Sequence, residues 1–256
     1  MAFDQHLADW QDYTATPWGR IRYAVVAAML AREIDRLGGT PLRVLDVGGG
    51  DGLDALPLAE AGHHVTVLDT SEAMLAAARV SADRRATSVE TVCGGIDDLA
   101  ALGRFDLVLC HFLLQYRPDV ERDLAALVGA VRPGRLLSLI APNPASRVLS
   151  TLVRTGPADA LASLEAPTER SVTFDTEVRK LDPEDVARHL AHLDTPVLAR
   201  YGGRVANDLV TDEDAKHDPA YFAELLRLEL ALCDREPFNR IGMFWHLVAH
   251  KRVTRG

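Results

Sequence analysis

The apolar positions of this chain change their spacing repeatedly, and the changes outline an alternation of elements. From Ile21 to Leu37 they recur at helical intervals (Ile21, Val25, Ala28, Met29, Ile34, Leu37) and stop at Gly38-Gly39, which predicts an amino-terminal helix. Mostly apolar runs at 42–47, 64–69, 88–93, 105–111 and 135–141 read as strands. Helical patterns separate them at 53–61, 71–83, near 97–102 and 119–131, with Ser71-Glu72 as a start signal and Arg132-Pro133-Gly134 as a stop. Strands alternating with helices predict a parallel sheet covered on both faces. Asp182-Pro183-Glu184-Asp185 opens another helix to about Leu193, with Pro at its first position. A strand near 196–205, a helix from about 219 to 234 and a last strand around 242–251 follow. Between Pro142 and Leu181, prolines or glycine at 142, 144, 156, 157 and 167 break the pattern, so this stretch is expected to be an irregular cap or substrate loop.

The first strand delivers Asp46 into Val47-Gly48-Gly49-Gly50-Asp51-Gly52, and the second ends in Asp69. Strand, glycine-rich turn, helix, strand and acid is the order in which a doubly wound sheet binds a nucleoside, with the second acid placed for ribose hydroxyls. The spacing narrows the choice. No frame fits G-x-G-x-x-G, since Leu53 and Ala55 fall where the last glycine belongs, and no lysine follows for a P-loop. What remains is D-x-G-x-G-x-G. An acid ahead of the first glycine repels pyrophosphate and suits a ligand with an ammonium group. That points to S-adenosylmethionine (SAM), and the pattern resembles motif I of class I SAM-dependent methyltransferases.

Composition excludes more than it assigns. The chain has 256 residues, 48% hydrophobic and 25% charged, long enough for one sizeable core. No apolar run approaches the ~20 residues needed to span a bilayer. Met1 to Trp10 carries Asp4, His6 and Asp9 and lacks the pattern of a signal peptide, so a cytoplasmic protein is expected. Cys93, Cys110 and Cys233 suggest neither a disulfide frame nor a metal site; Cys93 and Cys110 lie in apolar runs and are expected to be buried thiols. A net charge of −9 with dispersed basic residues does not favour a polyanion.

Ligands of such a sheet sit at the carboxyl ends of its strands, at the point where strand order reverses. This selects Asp46, Gly48, Gly49, Gly50, Asp69, Thr70, Gly95, Ile96, Asp97 and His111. A backbone amide after the third strand and the Asp97 carboxylate suit adenine, although Asp97 serves equally as a helix N-cap. Met74 suits the adenine face or the core alike. His111 ends an apolar strand at the functional rim.

Beyond motif I, the chain resembles the tRNA 5-carboxymethoxyuridine methyltransferases over nearly its whole length. The resemblance is carried by Gly19-Arg20-Ile21-Arg22, Leu42 to Gly52, Asp69-x-Ser71, Met74, His111, Leu137-Ser138-Leu139, Asn143 and Gly203-Arg204-Val205 with Asp208. Its most distinctive part is carboxyl-terminal: Leu225-Leu226-x-Leu228-Glu229, Cys233-x-Arg235-Glu236-Pro237, Gly242 and His246. The resemblance implies a Rossmann-like, doubly wound, mostly parallel seven-stranded sheet with a helical amino-terminal lid. It implies SAM contacts at Arg22, Gly48, Gly49, Asp69, Gly95, Ile96 and His111, and transfer of methyl to a carboxylate on a wobble uridine, which needs no general base. Arg204 is the candidate for orienting the acceptor, or forms a structural ion pair with Asp208; Tyr13, Trp18, Asn143 and His246 are candidate walls. The expected layout is one domain over 1–256: a lid at 1–40, a SAM-binding half at 41–141, a cap at 142–181 and the end of the sheet at 182–256. Where the family carries a lysine-rich segment after the fifth strand, this chain reads Leu164-Glu165-Ala166-Pro167-Thr168-Glu169-Arg170. That acidic stretch keeps a small-metabolite acceptor open beside tRNA.

Overall fold

A computed structural model describes residues 14, 16–38, 41–171 and 176–253. Strands β1 (Arg43–Val47), β2 (His64–Asp69), β3 (Glu90–Cys93), β4 (Phe105–His111) and β5 (Val131–Pro142) run parallel, in the order β3-β2-β1-β4-β5. Beyond β5, the sheet ends in two strands placed later in the chain, at Val197–Gly203 and Phe244–His250. With the hairpin strands β6 (Thr168–Ser171) and β7 (Thr176–Arg179) counted, these are β8 and β9. β9 pairs antiparallel with both β5 and β8, completing seven strands in the order β3-β2-β1-β4-β5-β9-β8. Strand order reverses between β1 and β4, so their carboxyl ends, carrying Asp46 and His111, frame the crevice where such sheets take ligands.

The strands are buried on both faces because their alternate residues enter different cores. Val44, Leu107, Leu109 and Ile140 pack with Ile21, Val25, Val26, Met29 and Leu30 of α1 (Pro17–Leu37). Leu45, Val108, Leu137 and Leu139 pack with Leu124 and Leu127 of α5 (Val120–Ala130) on the other side. Between these helices lie α2 (Leu56–Glu60), α3 (Glu72–Arg84) and the short α4 (Leu99–Leu102). The helix expected as a lid is therefore part of the core, and its first turns reach the crevice.

Three expectations change. The stretch from Pro142 to Leu181 is ordered structure: α6 (Pro144–Thr155), α7 (Pro157–Glu165) and the β6–β7 hairpin. Its prolines read as breakers, but Pro144 and Pro157 stand in the first helical turns, where the missing N–H is harmless. Arg132-Pro133-Gly134 does not end a helix before a strand. It is a bulge inside β5, where pairing steps from Phe105–Val131 to Leu107–Leu136 and the Gly134 amide donates to Lys251 O. Cys93 is exposed on edge strand β3, whereas Cys110 and Cys233 are buried free thiols. Among the described residues, no helix is long and apolar enough to cross a membrane.

The carboxyl-terminal strands approach their neighbours too closely for side chains. A Cβ at Gly203 would lie 1.9 Å from the Phe244 ring, and one at Gly242 would lie 2.7 Å from Gly203 O. Gly203→Ala should therefore lower the unfolding free energy by about 2 kcal/mol or more, as overpacked cores do. Urea denaturation checks this; an unchanged midpoint would mean the β8–β9 junction yields freely.

Candidate active site

A cavity of about 1140 Å³ opens at the carboxyl ends of β1 and β4. It is larger than one drug-sized ligand needs, leaving room for two molecules side by side. Its inner wall is the loop after β1. Gly50 has φ +55°, which favours glycine, and its amide donates to Asp69 Oδ2 at 2.9 Å. Asp69 Oδ1 accepts from the Ser71 amide at 2.9 Å, so the carboxylate is oriented by backbone on both oxygens. A Cβ on Gly49 would lie 2.6 Å from Asp46 Oδ2, so the loop closes down onto that carboxyl. Asp46 is 2% exposed and its Oδ2 has no hydrogen-bond partner. Burial, then the charge of Asp54, pushes its pKa well above the ordinary carboxylate range.

Asp54 is the residue that sequence reasoning missed. It sits two positions beyond the glycine loop, and an acid amid Leu53, Ala55 and Leu56 is the signal that marks it. Arg22 Nη1 and Nη2 donate to its two oxygens at 2.5 and 2.7 Å. The guanidinium also lies 4.1 Å from the Tyr23 ring centroid and 5.0 Å from that of Phe112. Burial opposes ionisation of Asp54, but Arg22 and His111 outweigh it and hold the carboxyl far below its ordinary range. His111 Nδ1 lies 2.8 Å from Asp54 Oδ2, and its Nε2 lies 2.8 Å from Ser138 Oγ. Ser138 Oγ is in turn 2.7 Å from His246 Nε2. Burial pushes both imidazoles below the ordinary histidine pKa, His246 furthest.

The outer chamber is built from the cap and the carboxyl-terminal segment. Arg204 stands at φ +55° and donates through Nε and Nη2 to Asp208 Oδ1 at 2.9 and 2.6 Å, the ion pair that its spacing allowed. Glu229 of α8 (Pro219–Leu232) fixes this loop by accepting from the amides of Val205, Ala206 and Asn207 at 2.7–2.9 Å. Lys216 lines the same chamber, fully buried, with Nζ 2.7 Å from Glu213 Oε1.

Of the sequence-selected residues, Trp18, Arg22, Asp46, Gly48, Gly49, Gly50, Asp69, Thr70, Met74, Gly95, Ile96, His111, Asn143 and Arg204 line one cavity. Asn143 does so as a clamp: Oδ1 caps α6 at the Ala145 amide, and Nδ2 donates to Arg240 O and Gly242 O. Asp97 is not among the lining residues; its carboxylate pairs with Arg122 at 2.7 Å and Arg117 at 3.4 Å. The cap at that turn is Asp98, whose Oδ2 accepts from the Gly95 amide at 2.9 Å. His246 lies behind the cavity wall, fully buried. Tyr13 falls outside the described residues.

The family of methyltransferase domains matches residues 44–134, from β1 into the bulge of β5. The motif, the cavity at the switch point and this match converge. The chain is a SAM-dependent methyltransferase. This methyltransferase is 29% identical over 240 residues, 92% of its length and 90% of the relative's, to the tRNA 5-carboxymethoxyuridine methyltransferase of Escherichia coli K12. The ubiquinone biosynthesis O-methyltransferase of Bradyrhizobium diazoefficiens is 33% identical, but over 53% of this chain and 49% of its own. In fold it is similar to the 1,6-didemethyltoxoflavin-N1-methyltransferase of Burkholderia thailandensis, with a TM-score of 0.60 at 18% identity, covering 98% of this chain and 86% of that one. It is also similar to a SAM-dependent methyltransferase of Thermotoga maritima, with a TM-score of 0.63 at 14% identity and 98% of both chains covered.

The neutral imidazoles carry a consequence for pH. A histidine whose folded pKa lies below its unfolded value, near 6.5, binds fewer protons in the native state, so its contribution to stability is lost as pH falls below that value. His246→Phe removes one such group. Urea midpoints at pH 7.5 and 5.5 should show a smaller loss on acidification for the variant than for the parent chain. Equal losses would mean His246 titrates as freely as in the unfolded chain.

Proposed function

We propose that this methyltransferase esterifies the carboxylate of 5-carboxymethoxyuridine at the wobble position of tRNA, in the cytoplasm. The observation that carries the reading is the relative acting on that nucleoside, which matches this chain nearly end to end and not only over the cofactor half.

The residues fit SAM. Asp46 offers an unpartnered buried oxygen under the glycine loop for the cofactor's ammonium group, and Asp69 a backbone-oriented carboxylate for ribose hydroxyls. Met74 and Ile96 supply apolar surface for adenine, and Arg22 a guanidinium for the methionine carboxylate. The bound cofactor supplies an electrophilic methyl on its sulfonium. An acceptor carboxylate is already a nucleophile at pH 7, so the chain's task is to hold it in line, which is worth most when both partners are fixed. Arg204, immobilised by Asp208 and the Glu229-held loop, would orient that carboxylate, with Trp18 and Asn143 as walls and residues 142–181 as the cap.

A second reading, a small-metabolite acceptor, is favoured by the acidic 164–170 segment and the net charge of −9. Incubation with methyl-labelled SAM and either total tRNA or a small-molecule extract separates the two. Base-labile label in tRNA is expected, and label confined to small molecules would overturn the tRNA reading. Arg204→Ala should leave SAM affinity within about twofold and depress transfer at least ~10-fold, the scale of one charged hydrogen bond. Unaltered turnover would place the acceptor elsewhere.

A further inference from the structure

Ser138 and His246 touch no part of the cavity, yet they extend the polar chain Arg22–Asp54–His111 into the middle of the sheet. Both are fully buried, on β5 and β9, where apolar side chains would need no partners. Their partners set the direction of the chain. Asp54 is ionised by its bidentate contact with Arg22, so it accepts from His111 Nδ1–H. A neutral His111 then presents Nε2 as an acceptor to the Ser138 hydroxyl. The Ser138 oxygen accepts from His246 Nε2–H, and His246 Nδ1 packs 3.2 Å from Met29 Sδ on α1. Every hydrogen bond donates toward Asp54, and bonds aligned this way reinforce one another. His111 spends both ring nitrogens in this chain, so its imidazole has none left to bind a cofactor directly.

We infer that Ser138 and His246 are positioning residues for cofactor binding: through His111 they hold Asp54 in the orientation that fixes the Arg22 guanidinium at the cofactor's carboxylate. The inference rests on the reading of Arg22 as the carboxylate site. Arg22 and Met29 lie two turns apart on α1, so the chain begins and ends on the same helix and ties it to β4, β5 and β9. Without it, the Asp54 carboxylate rotates on a loop and Arg22 follows.

The test compares SAM with 5′-methylthioadenosine, which carries the same adenosine and lacks the amino-acid end. Ser138→Ala should raise the SAM dissociation constant about tenfold, the effect of one buried hydrogen bond left unmade, and leave that of methylthioadenosine within about twofold. Ser138→Thr, which restores a hydroxyl, should recover SAM affinity. A role in packing alone would weaken both ligands together, and that result, or no change in either, overturns the inference. If Ser138→Ala does not fold, His246→Phe removes the next donor in the chain and is judged by the same pair of constants. Arg22→Ala separates the two levels of the argument. If it loses SAM selectively while Ser138→Ala does not, the positioning role fails alone. If Arg22→Ala weakens both ligands equally, the carboxylate reading falls and takes the inference with it.

Discussion

A guanidinium and a carboxylate withdrawn from water meet at the point where strand order reverses, and the inner wall of the cavity is arranged around them. Burying such a pair costs several kcal/mol per ion unless each partner is further satisfied. Here Arg22 is flanked by Tyr23 and Phe112, and Asp54 is also bound by His111. Thirty-two positions separate the two residues, one on α1 and one beyond the glycine loop. The docking of α1 and the closure of the loop over Asp46 therefore depend on one another. The pair stands where strand order reverses, so the constraint that orders the core also orders the cavity.

The outer chamber depends on a different constraint, the closeness of backbone to backbone in the carboxyl-terminal third. Gly202, Gly203 and Gly242 let β8, the start of β9 and the turn at Asn239 touch without side chains between them. Asn143 then ties the start of α6 to Arg240 and Gly242, and Glu229 gathers three amides of the Arg204 loop. The carboxyl-terminal run that carries the resemblance is thus mostly scaffolding. It places Arg204 and Asn143 at the cavity wall.

The sheet was legible because each strand is buried on two faces and flanked by helices with their own period, so β2 and β4 fall at the expected residues. The glycine loop was legible because few sequences need an acid and three glycines in seven positions. The cap was not, because Pro144 and Pro157 carry the same local signal whether they begin a helix or break one, and only packing decides. Asp97 misled for a related reason: two adjacent acids follow Gly95-Ile96, and the sequence does not say which one turns back to the Gly95 amide. His246 was selected as a wall by resemblance alone. Strand parity with Phe244 and Val248 could have placed it on the face of the sheet that packs against α1, though not its bond to Ser138. Asp54 was not legible because it lies past the last glycine, among apolar residues that read as the start of a helix.

Charge is the remaining argument about the acceptor, and it is local. Three of the cations that line the outer chamber are matched by carboxylates: Arg204 by Asp208, Lys216 by Glu213, and Arg147 by Glu169 at 3.6 Å. On a chain of net charge −9, such pairs project little positive potential into solvent, so a polyanion is not drawn in from a distance. On the proposed reading they still discriminate at contact, because an incoming carboxylate that shares a guanidinium with Asp208 would meet a donor already held in place. Recognition of this kind releases few counterions and depends on fit more than on salt. The proposed RNA substrate fits the acidic surface on those terms, with the reacting nucleoside contributing most of the affinity and the phosphate backbone little.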